Sequence, residues 1–234
     1  MPAEPPTTPT LPTLIARALT AQATAGDDDA AEDRAALLAL HDRATDDTFT
    51  HAAALVVAAE WPQRRLGLRI LKELGGDERP FADRTLDLLL PRLASADSAD
   101  ERHELIRTIG WQGRPRALDA LLALAGDRDV LVRYLVAHYL PGCALLASAH
   151  REPSDDDDDA GAGQEADPRA IAALVRLTKD ADADIRWYAT AAFDTDYPLV
   201  DTPAVRAALK ARLADSDPGV AECARNALET RGAK

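Results

Sequence analysis

Apolar residues return along this chain in steps of three and four, the period of helices with one buried face, and no stretch alternates convincingly in steps of two. Ala36, Leu37, Leu40 and His41 share one such face; Phe49, Ala53, Val56 and Val57 share another. Residues 13–22 predict a first helix. Asp27, Asp28 and Asp29 precede a second that runs to about Ala44, because carboxylates at a helix start complement the positive end of its dipole. From Asp46 the helices are expected in pairs: 46–57 with 64–74, 81–93 with 101–111, 116–125 with 130–140, 169–178 with 184–193, and 204–213 with 219–228. Asp46 or Asp47 is expected to cap the first of these helices. Trp61-Pro62 is expected to close it, since the residue before proline avoids the α region, and Gly75-Gly76 to end its partner. Pro91 is expected to bend its helix without abolishing it.

The pairs repeat in sequence as well as in pattern. Asp-Arg-Asp-Val-Leu-Val-Arg-Tyr at Asp127 to Tyr134 returns as Asp-Ala-Asp-Ala-Asp-Ile-Arg-Trp at Asp180 to Trp187, with a weaker copy through Asp215, Asp217, Pro218 and Val220. Leu71, Ile109, Leu140, Phe193 and Leu228 hold one late position in each second helix, at intervals of about 38, 31, 53 and 35 residues. The long interval contains a run of aspartates and glycines between His150 and Pro168, too charged to pack, which reads as a disordered acidic insertion between repeats.

Two-helix units with Asp-x-Asp-x-x-[Val/Ile]-Arg opening the second helix resemble HEAT repeats, specifically the bacterial type known as phycobiliprotein-lyase-like HEAT repeats. The resemblance covers roughly Asp46 to the C-terminus and is closest at Asp127 to Leu140 and Asp180 to Phe193. It weakens at Glu101, where an apolar residue is expected, and at Ala221, where an arginine is expected. It implies an all-α fold: a right-handed α-solenoid of about five two-helix HEAT-like repeats, preceded by one or two N-terminal helices. The expected organisation is a Pro/Thr-rich disordered tail over residues 1–12, then one solenoid over 13–234 with the acidic insertion at 150–168. The recurring aspartates suit helix N-termini. Arg64, Arg102, Arg133 and Arg186 occupy equivalent places from which a planar guanidinium bridges carboxylates and carbonyls of adjoining repeats, so the motif is read as a structural ladder.

Composition narrows the partners. Lys and Arg total 27 against 40 Asp and Glu, a formal charge of −13 that repels phosphate backbones, so no nucleic acid is expected. The opening Met-Pro-Ala-Glu-Pro-Pro lacks a positive segment before an apolar one, and no run has the length to cross a bilayer; a soluble, cytoplasmic protein with no membrane partner is expected. Cys143 and Cys223 fall in different repeats without metal-ligand spacing and read as small core thiols. The excess of arginine over lysine and the abundance of alanine look like a high-GC bacterial coding bias.

With the phase fixed by the arginines, the residue after each one marks the side expected to be concave. Along the stack that column reads Arg65, His103, Tyr134, Trp187 and Glu222; one turn later it reads Arg69, Arg107, His138, Ala191 and Asn226, with Trp111 continuing the line. Arg65, Arg69, His103, Arg107, Trp111, Tyr134, His138 and Trp187 are therefore the candidate partner-binding residues, since Arg, Tyr and Trp dominate interface energetics. The cationic first half of the column points to an acidic partner there.

No catalytic residue, metal site or cofactor is expected. His103-Glu104 resembles the iron-binding dipeptide of HEAT-repeat deoxyhypusine hydroxylases but occurs once, and neighbouring units carry Tyr134-Leu135 and Trp187-Tyr188 in its place. HEAT-like DNA glycosylases use concave tryptophans, yet the charge here opposes a phosphate backbone. His41, His51, His138 and His150 are scattered without a paired acid or a His-x-x-x-His spacing, and GxSxG, GxxxxGK[ST] and GxGxxG do not occur. The acidic run Asp155 to Asp159 lacks the glycine turn and spacing of a calcium loop. The expected function is a non-catalytic scaffold or adaptor binding a protein or peptide; the alternative is a HEAT-type module of a lyase-like or hydroxylase-like enzyme.

Overall fold

The computed structural model describes residues 9–24, 31–96, 98–144, 166–197 and 200–232. Among them the regular structure is helical: α1 Leu11–Thr24, α2 Ala31–Asp42, α3 Asp46–Val56, α4 Trp61–Glu73, α5 Ala82–Ala94, α6 Ala99–Trp111, α7 Leu118–Leu124, α8 Val130–Cys143, α9 Pro168–Leu177, α10 Ala183–Thr195, α11 Pro203–Arg212 and α12 Pro218–Gly232. None of these helices is long and apolar enough to cross a membrane. The chain divides into two compact units, Met1–Gln112 and Gly113–Lys234.

In the first unit the hairpin α1–α2 packs on α4, and the pairs α3–α4 and α5–α6 meet through their second helices, α4 on α6. In the second unit α7–α8, α9–α10 and α11–α12 are three pairs. First helices pack on first helices, α7 on α9 and α9 on α11, and second helices on second, α8 on α10 and α10 on α12. The predicted pairing is thus the observed one. Leu71, Ile109, Leu140 and Phe193 are buried at the shared late position, whereas Leu228 is half-buried and Ala227 beside it takes the core place.

Short polar side chains start the helices. Thr45, Ser98, Asp129, Asp167, Asp182 and Thr202 each accept a backbone N–H of the turn they open, and Asp217 accepts those of Gly219 and Val220. Each such cap contributes about 1 kcal/mol. Four expectations need correction here. Thr45 rather than Asp46 or Asp47 caps α3, and the two aspartates fill its first turn. Trp61-Pro62 opens α4 instead of closing α3, because proline at the start of a helix removes an N–H that has no intrahelical partner there. Leu11 and Pro12, assigned to the tail, already belong to α1, while residues 1–8 lie outside the described residues. Of the insertion assigned to residues 150–168, the part up to 165 lies outside the described residues. Asp167 and Pro168 instead form the start of α9, and the Asp167 N–H donates to the Ala144 carbonyl at 2.9 Å.

Candidate functional site

The face carried by the second helices is positioned by the arginine that precedes each of its residues. In the second unit Arg133 grips the Asp180 carboxylate with Nε at 2.7 Å and Nη2 at 3.0 Å, while its Nη1 reaches back to the Asp127 and Arg128 carbonyls at 2.9 and 3.3 Å. Arg186 repeats the arrangement one unit on. It holds Asp215 at 3.0 and 2.8 Å, and the Asp180 and Ala181 carbonyls at 3.1 and 3.0 Å. The two aspartates of the motif thereby divide the work. The second caps its helix; the first receives the arginine of the preceding repeat and also the N–H of the second, as from Asp182 to Asp180 at 3.0 Å and from Asp217 to Asp215 at 3.0 Å. Bonding to the arginines holds the Asp180 and Asp215 carboxyls below the usual range. The ladder read from the sequence is present at Arg133 and Arg186, and Ala221 stands in the arginine's place on α12.

The first unit makes the same rung with a different acid. Arg64 donates to the Ala58 and Ala59 carbonyls at 3.2 and 2.5 Å, as its counterparts do. Ala96 occupies the place of the first aspartate, and the missing carboxylate comes from Glu101, one turn inside α6. Glu101 is buried in the column where Val132 and Ile185 stand; it meets Arg64 at 3.3 Å and the Arg92 Nε at 2.7 Å. What reads in sequence as a lapse of the motif is a carboxylate supplied from another position.

Set in this frame, the residues after the arginines differ between the units. In the first unit Arg65, Arg69, His103, Arg107 and Trp111 are half-buried on α4 and α6. Arg107 is tied to Glu104 at 2.9 Å, and the Trp111 ring lies under two cations, Lys72 at 5.4 Å and Arg79 at 5.6 Å from its centre. In the second unit the column is aromatic. Tyr134 and His138, one turn apart on α8, stack at 6.4 Å. Tyr188 of α10 meets both edge-on, at 5.1 and 4.8 Å, and the Tyr134 hydroxyl donates to that of Tyr188 at 3.3 Å. Trp187 joins through Tyr188 at 4.9 Å, and Tyr139 meets His138 at 4.5 Å. The Tyr188 bond, then loss of water, then the charge of Tyr188 and Asp184 push the Tyr134 phenol up to about 12; partial burial pulls the His138 imidazole down, so at neutral pH it presents an uncharged ring.

The structure therefore gathers Tyr134, His138 and Trp187 of the predicted column, and their link is Tyr188, which the sequence reading passed over because it lies one residue off the i, i+4 line. Trp187 remains 38% exposed, so its ring is available to solvent on one side. On the other side it lies on Gly219, where a β-carbon would come within 3.2 Å of the indole.

Three further residues had no sequence signal: each closes the C-terminal end of a second helix from the following repeat. Gln112 donates to the Leu71 and Lys72 carbonyls at 3.4 and 3.3 Å, and the Tyr197 hydroxyl to that of Pro141 at 2.5 Å. Arg231, 5% exposed, donates to the carbonyls of Phe193, Ala227, Tyr197 and Val200, a buried cation held at the negative end of α10. Among the described residues no three His, Cys, Asp or Glu side chains stand together as metal ligands. Cys143 is buried and free, and Cys223 is half-buried and free.

A family model for HEAT repeats matches residues 86–157. No curated protein matches the chain. Among solved structures, YibA of Escherichia coli is similar over 98% of this chain and 78% of its own, at 17% identity and a TM-score of 0.63. The complex of CpcE and CpcF of phycocyanin lyase from Nostoc is similar over 79% of this chain and 99% of the matched chain, at 22% identity and a TM-score of 0.51. A designed armadillo repeat protein in complex with the peptide (KR)4 is similar over 94% of this chain and 98% of its own, at 15% identity and a TM-score of 0.56. These likenesses establish the fold, an all-α repeat solenoid of the HEAT and armadillo kind.

Proposed function

We propose that this protein, which carries HEAT repeats at residues 86–157, is a non-catalytic scaffold that binds a protein or peptide on its second-helix faces. The observation that carries the reading is Trp187. A large aromatic side chain held on one side by Gly219 and Tyr188, yet 38% exposed, is a prepositioned contact residue rather than core. Tyr134 and His138 extend that contact in the second unit; Arg65, Arg69, His103, Arg107 and Trp111 are the corresponding surface in the first. There the arginines favour acidic groups on the partner, since complementary potentials speed and direct association. The likeness of the fold to a designed armadillo repeat protein in complex with a peptide agrees with this use of the scaffold.

Selection from a random peptide display library tests the reading. Peptides are selected on the wild-type protein and then offered to Arg69→Glu/Arg107→Glu and to Tyr134→Ala/Trp187→Ala, each checked for helix content. Peptides that enrich on the wild type and are lost on one or other double variant sustain it. Equal retention on both rejects the assigned faces, and failure of any sequence to enrich rejects the function.

A further inference from the structure

The aromatic cluster of the second unit is set among carboxylates. Asp184, in the first turn of α10, stands three and four residues before Trp187 and Tyr188 and so shares their side of the helix, and Asp196, just beyond the end of α10, adds its charge near the His138 imidazole. The cations of the same three helices are mostly engaged elsewhere. Arg133 is locked on Asp180, Arg186 on Asp215, and Arg231 on four carbonyls, which leaves Arg225 against Asp184 and Asp194 on α10 and Glu222 and Glu229 on α12. Aromatic faces attract cations through their ring quadrupole, and nearby carboxylates add charge attraction for the same group. A neutral His138 adds a further ring to the cluster and no opposing charge at neutral pH.

From this juxtaposition of Trp187, Tyr134 and His138 with Asp184 and Asp196, we propose that the second-unit face takes the basic side chains, arginine or lysine, of an extended peptide. The inference rests on the peptide-binding reading and gives it a chemistry opposite to that of the first unit, whose column is itself cationic. An arginine guanidinium suits the cluster best, since it stacks on an indole or phenol while its N–H groups reach a carboxylate.

Fluorescence anisotropy with three labelled octapeptides, (Lys-Arg)4, (Asp-Glu)4 and (Gly-Ser)4, tests it on the full chain at moderate salt. The basic peptide is expected to bind about tenfold or more tighter than the other two. Trp187→Ala and Asp184→Asn/Asp196→Asn are each expected to weaken it by about fivefold or more. Asp77→Asn/Glu78→Gln, which removes the same charge from an exposed turn of the first unit, is expected to leave binding within about twofold. Helix content is compared for all variants. A basic peptide that ignores Trp187→Ala, or that weakens equally with the distant charge change, is held by the diffuse field of an acidic chain and overturns the inference. An acidic or neutral peptide that binds in a Trp187-dependent way overturns it while leaving the peptide-binding reading intact. No binding by any of the three overturns this inference, and the reading beneath it falls separately if the library selection also yields nothing.

Discussion

After the ladder arginine the first unit places Arg65 and His103, and the second places Tyr134 and Trp187; the frames beneath them are nearly the same and the surfaces have opposite character. The rungs are what the two units share. Arg64, Arg133 and Arg186 all turn inward to carbonyls of their own loop and to a carboxylate of the next repeat. In the second unit the neighbouring position joins repeats in another way, through rings: Tyr134 meets Tyr188 and Trp187 lies on Gly219 of the following repeat.

The rungs offer the largest lever on this comparison. Arg186→Ala removes both bonds of a two-pronged grip and leaves the nearly buried Asp215 with Arg212 at 3.1 Å and the Asp217 N–H at 3.0 Å; it should destabilise the second unit by about 3 kcal/mol in urea unfolding followed by circular dichroism. Arg64→Ala should cost less, about 1.5–3 kcal/mol, because Glu101 keeps its bond to Arg92. Equal losses would mean that the two rungs are built alike in energy despite their different acids.

Acid should separate the units next. Asp180 and Asp215 are held below the ordinary carboxyl value of 3.8, so they contribute stability that is complete above that pH and lost as pH falls through their lowered folded values. In the first unit burial lowers the pKa of His41, whose Nε2 lies 3.0 Å from the Arg69 carbonyl oxygen; its unfolded form takes up a proton first, so stability falls as pH drops below 6.5 toward the folded value. Variants that keep only Trp111 or only Trp187 as a fluorophore should follow the two windows separately, and His41→Gln should flatten the upper one.

Smaller effects probe the surfaces. Gly219→Ala pushes a β-carbon to 3.2 Å from the Trp187 ring, and a shift of Trp187 emission with under about 1 kcal/mol of lost stability is expected. Lys72→Ala removes one of the two cations over Trp111 and should cost about 0.5–1 kcal/mol, in a double-mutant cycle with Trp111→Leu.

Much of the frame was legible because it repeats. The period of the apolar residues gave the helix pairs, and the recurring aspartates and arginines gave the phase, since caps and bridges act over fixed short spacings. Glu101 was not legible as a rung because its role depends on Arg64 and Arg92 converging from two other helices. Gln112, Tyr197 and Arg231 close helix ends without a common residue type or a common offset, so no period marks them. Trp61-Pro62 was ambiguous in a simpler way: proline ends one helix as readily as it begins the next, and only the capping geometry at Glu60 decides. At the candidate site the i, i+4 rule found Tyr134, His138 and Trp187 but not Tyr188, whose contact lies across the seam between two helices.

The Asp167 N–H donates to the Ala144 carbonyl, so these two residues lie side by side, with the Arg133–Asp180 rung fastening the repeats that carry them. A junction fastened in this way is a natural port for engineering: a reporter domain or a protease-cleavable tether inserted between these two residues should leave the helices on both sides in register, and cleavage should yield two fragments that stay together until the rung is broken.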